Sequence, residues 1–376
     1  MIPFLDLHAM HNEVREEIGE AWHATMASGQ FIGGPAVRRF EEEWAAYCQT
    51  KHCVGLKSGT VALQLALSAL GIGAGDEVLV PTNTFIATAA AVVAAGACPI
   101  FVDVDPATLL ITADGIQRAL TASTAAVIAV HLYGQPANMD AINKVAAAAG
   151  IAVIEDAAQA HGATWNGQKA GSLSAIACFS FYPGKNLGAF GDAGAVVTSD
   201  TALADKIRAL SNHGRSEADP YCHSLIGGNH RIDALQAAIL SVKLTKLDRW
   251  NADRRRVAQR YTEALSGLPV ELQAIDKAAL SSHHLAVIQT DRRDSLRRAF
   301  NAEQIGTGIH YPIPCHRQEP FMSGDAAELP VAERAAGRLL SLPMSPHLTD
   351  AQVARVIDVI RRTLEIDMRR SRQMVA

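Results

Sequence analysis

Charge is scarce in this 376-residue chain: 19% of its residues are Asp, Glu, Lys or Arg, and they sum to −4. Such a balance leaves no overall footprint for nucleic acid or an anionic membrane, so an anionic ligand must be held by local groups. Long hydrophobic runs are missing too. The most apolar stretch, 89–101, is short and carries Gly96 and Pro99, which excludes a membrane span. The opening MIPFLDLHAM lacks the basic region and apolar run of a secretory signal, so no export is expected. The six cysteines form no CxxC pair and mostly sit inside apolar segments; this pattern predicts buried thiols in a reducing, cytoplasmic compartment. The 14 histidines contain no HxxxH or HExxH, and adjacent His283 and His284 would face opposite sides of a strand, so no metal site is expected.

What the sequence does have is 49% hydrophobic residues and the length for two domains at roughly 150 residues each. We expect a large domain over 1–250 and a smaller α+β domain over 251–376. From residue 52 short apolar runs alternate with longer Ala/Leu-rich stretches, a βαβ rhythm that predicts an α/β fold with a mostly parallel sheet. Strands are read near 52–56, 76–80, 98–102, 125–130, 151–155, 175–180 and 193–198. Helices are read at 59–70, 84–95, 138–149 and 200–211, several opened by a capping residue. A His/Gly/Asn-rich loop over 212–230 leads into a long helical pattern, 232–265. Its arginines, Arg249, Arg254, Arg255, Arg256 and Arg260, read as a solvated face paired with Asp248 and Asp253 rather than a nucleic-acid surface. Beyond it lie a strand near 285–290, a helix near 293–303, a Pro-rich crossing at 311–314, a last helix near 349–366 and a frayed tail, 369–376.

Three segments carry chemistry. In FSFYPGKNLGAFGDAGAV, Lys185 stands on a Gly-rich turn after a strand that ends near Ser180 and Phe181, placed to approach a ligand. In IAVIEDAAQAHGA, an apolar run ends in Glu155-Asp156, at the strand edge where open α/β sheets bind ligands. A carboxylate there could be a metal ligand, a general base or the partner of a cationic ring nitrogen, and Asp156 could equally cap a following helix. In VGLKSGTVALQLALSAL, a strand breaks at Ser58-Gly59-Thr60 into a helix, leaving unpaired amides and a positive dipole end suited to phosphate. The segment is neither a Walker A loop nor GxGxxG. Pyridoxal 5'-phosphate satisfies all three, through a lysine imine, an acid against the ring nitrogen and a helix N-terminus on the phosphate.

On these and further motifs the chain resembles the DegT/DnrJ/EryC1/StrS sugar aminotransferase family of fold type I pyridoxal-phosphate enzymes. The motifs include SGQFIGGPAVRRFEEEWAAY, VLVPTNTFIATAAAV, HLYGQPANMD, NHGR, GGNHRIDALQAAIL and HYPIPCHRQEPF, in family order along nearly the whole chain. The resemblance implies Lys185 as the imine lysine, Asp156 as partner of the pyridine nitrogen and Gln159 as donor to the ring hydroxyl. It implies Ser180 with the amides of Gly59 and Thr60 at the phosphate, Phe85 stacked on the ring, and Asn229 reaching the phosphate in the neighbouring subunit of a homodimer. Beside a pyridinium the charged form of Asp156 is favoured, and Lys185, once free, becomes a neutral amine that can move a proton. Relatives with His in place of the lysine act as dehydratases, so Lys185 favours transamination.

The same resemblance implies L-glutamate as amino donor and a nucleotide-linked keto sugar as acceptor, with His213, Arg215 and Arg231 as candidates for the sugar diphosphate. HYPIPCHRQ places His310, Tyr311 and His316 near the sugar and points to C-3 of a 3-keto hexose; C-4 amination is the alternative. Two other readings share the lysine and aspartate: a pyridoxal-phosphate enzyme of different chemistry, such as a desulfurase using Cys178 or Cys222, and a pyridoxal-phosphate-binding regulator.

Overall fold

The computed structural model describes residues 1–216, 219, 221–322 and 328–375. The apolar runs of the first half form strands β1 (His52–Leu56), β2 (Glu77–Pro81), β3 (Cys98–Val102), β4 (Thr124–Val130) and β5 (Ala152–Asp156). A short hairpin of β6 (Thr164–Trp165) and β7 (Gln168–Lys169) precedes β8 (Ile176–Ser180) and β9 (Gly194–Thr198). Seven of these build one sheet in the order β1-β9-β8-β5-β4-β2-β3. Neighbours from β3 to β8 pair in parallel, whereas β9 runs antiparallel to both β8 and β1. The reversal has a local cause. Residues 181–193, between β8 and β9, form no helix, and a parallel return would need a crossover.

Helices Gly59–Ala69, Ala87–Ala94, Met139–Ala149 and Thr201–Ser211 lie within a few residues of expectation. Ser58 and Asn138 cap two of them, accepting from Val61 N and Ala141 N at 3.3 and 3.1 Å.

The long pattern at 232–265 is two helices, Ala234–Leu244 and Leu247–Leu265. Its arginine face is also not uniformly solvated. Arg254 is buried, Arg256 and Arg260 reach Asp350 on the last helix at 2.8 and 2.6 Å, and Arg249 meets Glu13. Asp248 instead receives the Tyr47 hydroxyl at 2.5 Å. Of the cysteines, Cys98 and Cys222 are exposed against expectation, and all six are free. The last helix, Asp350–Val375, continues past 366; Ala376, at the end of the expected frayed tail, lies outside the described residues.

The second half supplies β10 (Glu271–Leu272), β11 (Ala279–Leu280), β12 (Ala286–Gln289) and β13 (Leu339–Leu342). β10, β12 and β13 form a three-stranded sheet, while β11 joins the β6/β7 hairpin. A separate core gathers Val257, Tyr261, Ile288, Phe300, Leu340 and Ile360. Ile2 belongs to it and bridges to Ile305, so the first residues pack with the C-terminal unit. Helix Leu247–Leu265 links the two bodies, with Leu247 against the main-sheet side and Tyr261 in the second core.

Candidate active site

Neighbouring β5 and β8 both end at the same sheet edge, and their last residues open onto a cavity of about 490 Å³. Gly59, Thr60, Phe85, Asp156, Gln159, Ser180, Lys185, His310 and Tyr311 all line it, so the structure brings these sequence candidates together.

The two carboxylates at the end of β5 separate by strand alternation. Glu155 is turned into the protein, where it accepts from His131 Nε2 at 3.0 Å and from the amides of Gly171, Leu173 and Ser174 at 2.7, 2.8 and 2.9 Å. It is structural. Asp156 faces the cavity, accepting from Thr88 Oγ1 at 2.8 Å and from Ala158 N at 3.2 Å. No helix follows it, which removes the capping alternative. Burial pushes this carboxyl above its ordinary range, opposed by the Thr88 and Ala158 hydrogen bonds and by the Lys185 charge. The fall expected beside a pyridinium therefore requires that cation to be present. Lys185 is displaced in the matching sense: burial lowers its ammonium from 10.5 to about 8, with the Asp156 charge opposing.

The amide cup at the start of helix Gly59–Ala69 depends on glycine. A Cβ at Gly59 would lie 2.6 Å from Ser180 Cβ, and one at Gly194 would lie 2.3 Å from the Ser58 carbonyl carbon. Only their absence lets the N-terminus of helix Gly59–Ala69 sit against the end of β8. A buried acid lacking a full counter-charge, an amine partly shielded from water and an amide cup share one cavity. These residues fit pyridoxal phosphate, whose ring nitrogen, aldehyde and phosphate match them in turn.

Also lining the cavity, Gln159 accepts from Tyr133 N at 2.7 Å and donates to the Tyr311 hydroxyl at 3.1 Å. Its remaining amide hydrogen is the one a ring hydroxyl would receive. Phe85 is 54% exposed, so it is not core, and its ring lies 5.6 Å from that of Tyr311. His310 is held by Ser341 Oγ at 2.8 Å and stacks on Phe4 at 5.6 Å. Thr88, Tyr133 and Phe4 escaped the sequence reading, because a threonine within an alanine-rich helix, a tyrosine after a strand and a phenylalanine near the start carry no local signature.

Residues 12–361 match the DegT/DnrJ/EryC1/StrS aminotransferase family. The chain belongs to this family. It is 46% identical to the dTDP-3-amino-3,4,6-trideoxy-alpha-D-glucose transaminase of Streptomyces venezuelae, covering 97% of this chain and 96% of that one. It is 47% identical to the UDP-N-acetyl-3-dehydro-alpha-D-glucosamine 3-aminotransferase of Acidithiobacillus ferrooxidans, covering 96% and 98%. Among solved structures, S. venezuelae DesV in complex with a ketimine intermediate superposes with a TM-score of 0.94 at 46% identity, covering 97% of this chain and 98% of that one.

Not every residue assigned by family resemblance reaches the cavity. His316 is buried outside its lining, with Nδ1 on Thr82 Oγ1 at 2.6 Å and Nε2 on Glu333 Oε1 at 2.8 Å. Both ring nitrogens are thus engaged, and the ring ties the 310–318 segment to β2 and to helix Pro330–Arg338. His213, Arg215, Arg231 and Asn229 also stand outside the lining. They belong to a loop in which Asn212 bridges Asn229 and Arg215 bridges His223, and Arg231 donates to Asn212; positions 217, 218 and 220 of the loop lie outside the described residues. The thiol a desulfurase would need is not in place. Cys178 is buried within β8 with its thiol pushed up by burial, and Cys222 does not line the cavity. Among the described residues no helix is long and apolar enough to cross a membrane.

Proposed function

We propose that this aminotransferase moves an amino group from L-glutamate, in two half-reactions, to C-3 of a nucleotide-linked 3-keto hexose, a dTDP- or UDP-linked deoxy sugar. One observation carries the site assignment: Lys185, half-buried, and Asp156, buried, share a cavity with the N-terminus of helix Gly59–Ala69. Support for C-3 comes from the two relatives above, whose names specify a 3-amino sugar and a 3-aminotransferase.

The bound cofactor supplies an electron sink that stabilises negative charge on the substrate carbon. Asp156 holds the ring nitrogen in its protonated form, because a buried carboxylate and a buried cation each offset the other's loss of water. Gly59, Thr60 and Ser180 would hold the phosphate, Gln159 would donate to the ring hydroxyl, and Phe85 would pack against the ring. Lys185 anchors the cofactor and, as a neutral amine, moves the proton at the substrate carbon. His310 and Tyr311 present polar atoms to the sugar from the C-terminal unit, which we delimit at 251–376, with Ile2 packed into its core, against a cofactor-binding domain of 1–250.

The 212–231 loop fits a second role, completing the site of a partner subunit. Asn229 is exposed and has no place in its own cavity, and Ile226 beside it is 98% exposed, an apolar side chain suited to burial between copies. In this homodimer Asn229 meets the partner's phosphate, and His213, Arg215 and Arg231 meet the sugar diphosphate. The six free cysteines accord with a cytoplasmic setting.

NMR of the product formed from paired 3-keto and 4-keto nucleotide sugars decides the regiochemistry. Nitrogen at C-3 is expected; incorporation at C-4 alone overturns the C-3 assignment. Mixing Lys185→Ala with Asn229→Trp tests the shared site, since exchanged dimers should regain one intact site each. No recovery after verified exchange would place the whole site within one chain.

A further inference from the structure

Behind Lys185 lies a buried polar network that the roles above leave unused. Asn251 Nδ2 donates to the His161 carbonyl at 2.8 Å. A carbonyl only accepts, so this contact fixes the Asn251 amide and leaves its Oδ1 facing Asn186. Asn186 Nδ2 donates to that Oδ1 at 2.8 Å and to the Ser282 carbonyl at 2.9 Å. Asn186 Oδ1 is therefore turned to His284 Nδ1, 3.1 Å away. An amide oxygen has no hydrogen to give, so Nδ1 must carry the imidazole proton.

A second proton on the ring is disfavoured. Burial drives the His284 imidazolium well below its ordinary range, helped by the charges of Lys185 and Arg254 and by His161 and His310. The ring is thus neutral, protonated on Nδ1 and bare on Nε2. Nε2 has no hydrogen-bond partner among the described residues, and His284 and Lys185 both line the cavity. The anchor of this ring, Asn186, is the residue directly after Lys185.

We propose that His284 is a positioning residue that offers the free Lys185 amine a fixed, unprotonated Nε2 as hydrogen-bond acceptor. Accepting one N–H orients the remaining lone pair of the amine. No proton is transferred to the ring in this role. The inference rests on Lys185 being the anchoring lysine.

The two ring nitrogens can be removed separately, because Asn mimics Nδ1 and Gln mimics Nε2. His284→Asn keeps a donor to Asn186 and deletes the acceptor; His284→Gln does the reverse. The readout is the pH dependence of imine absorbance when full-length, cofactor-stripped protein is mixed with pyridoxal 5'-phosphate, which reports the ionisation of Lys185 rather than turnover. The groups that sense or set the Lys185 charge are Asp156, His161, His284 and His310, and the other three are unchanged in both variants. An acceptor favours the ammonium, so His284→Asn should lower the midpoint by about one pH unit while His284→Gln stays near wild type. Equal midpoints in wild type and His284→Asn, or equal shifts in both variants, would overturn the proposal. Nitrogen NMR of the wild-type imidazoles is independent of variant folding: a His284 ring protonated at Nε2 overturns it as well. Lys185→Ala separates the two levels of argument. If that variant still captures the cofactor as an imine, the lysine assignment fails; if it does not, the His284 result stands on its own.

Discussion

Thr88 Oγ1 donates to Asp156 Oδ2 at 2.8 Å, and Thr84 Oγ1 lies 2.9 Å behind Thr88. All three residues are buried. The pair joins the end of β5 to helix Ala87–Ala94, so a hydroxyl from another element favours the charged form of the acid assigned to the cofactor nitrogen, against the effect of burial.

Thr88→Val should therefore loosen the cofactor. Losing a hydrogen bond to a charged group costs about 1.5–3 kcal/mol, or roughly tenfold to hundredfold in cofactor affinity. Fluorescence titration of stripped protein with pyridoxal 5'-phosphate measures it. An unchanged dissociation constant would mean that Ala158 N suffices to hold the carboxylate.

Imine capture by the stripped enzyme should rise with pH around a midpoint near 8, because burial lowers the Lys185 ammonium from 10.5 to about 8. The neutral amine is the nucleophile, so the sign is a gain on the alkaline side. Lys185→Ala should lose the imine absorbance altogether and keep the far-ultraviolet dichroism of the wild type. A midpoint near that of a solvent-exposed lysine would contradict the buried setting.

Gly59→Ala should block the phosphate cup. The new Cβ would meet Ser180 Cβ at 2.6 Å and its Cα at 3.1 Å, and overpacking of this kind costs about 1–3 kcal/mol. Cofactor affinity is expected to fall more than thermal stability does. The two are compared by titration and by calorimetry of the stripped protein.

Lys243 gives a stability prediction away from the substrate. Its side chain is buried and donates to the Gly188 carbonyl, and burial lowers its ammonium from 10.5 to about 7. Between those values the unfolded chain binds more protons than the folded one, so stability rises with pH across the window. The slope from this one residue is at most about 1.4 kcal/mol per pH unit. Lys243→Met should remove it, flattening urea midpoints measured from near neutrality into the alkaline range. Parallel pH curves for the two proteins would show that Lys243 stays charged when folded.

How far the sequence could be read depended on the range of the interaction. The strands of the main sheet, the glycine cup at Gly59, and the placement of Asp156 at a strand end and of Lys185 on the turn after one were legible, because each follows from periodicity, capping or turn chemistry within a few residues. The break at 245–246 was not. Both halves of 232–265 have helical composition; the first helix packs Ala237 and Leu240 into the core that also holds Leu247, whereas the second runs on to Tyr261 in another. Arg254 looked like part of a charged face for the same reason, since it is buried and its acceptor, the Met344 carbonyl, is 90 residues away along the chain.

The sequence by itself determined the α/β architecture and the set of groups able to hold a phosphate, an imine and a ring cation, since these are written in local pattern. Only the tertiary structure decided which of Glu155 and Asp156 faces the cavity and that His316 is a tie between elements. It alone decided that His284, 98 residues from Asn186, is held in one tautomer. Those outcomes depend on which distant hydrogen-bond donors and acceptors meet, and a linear pattern does not encode that pairing.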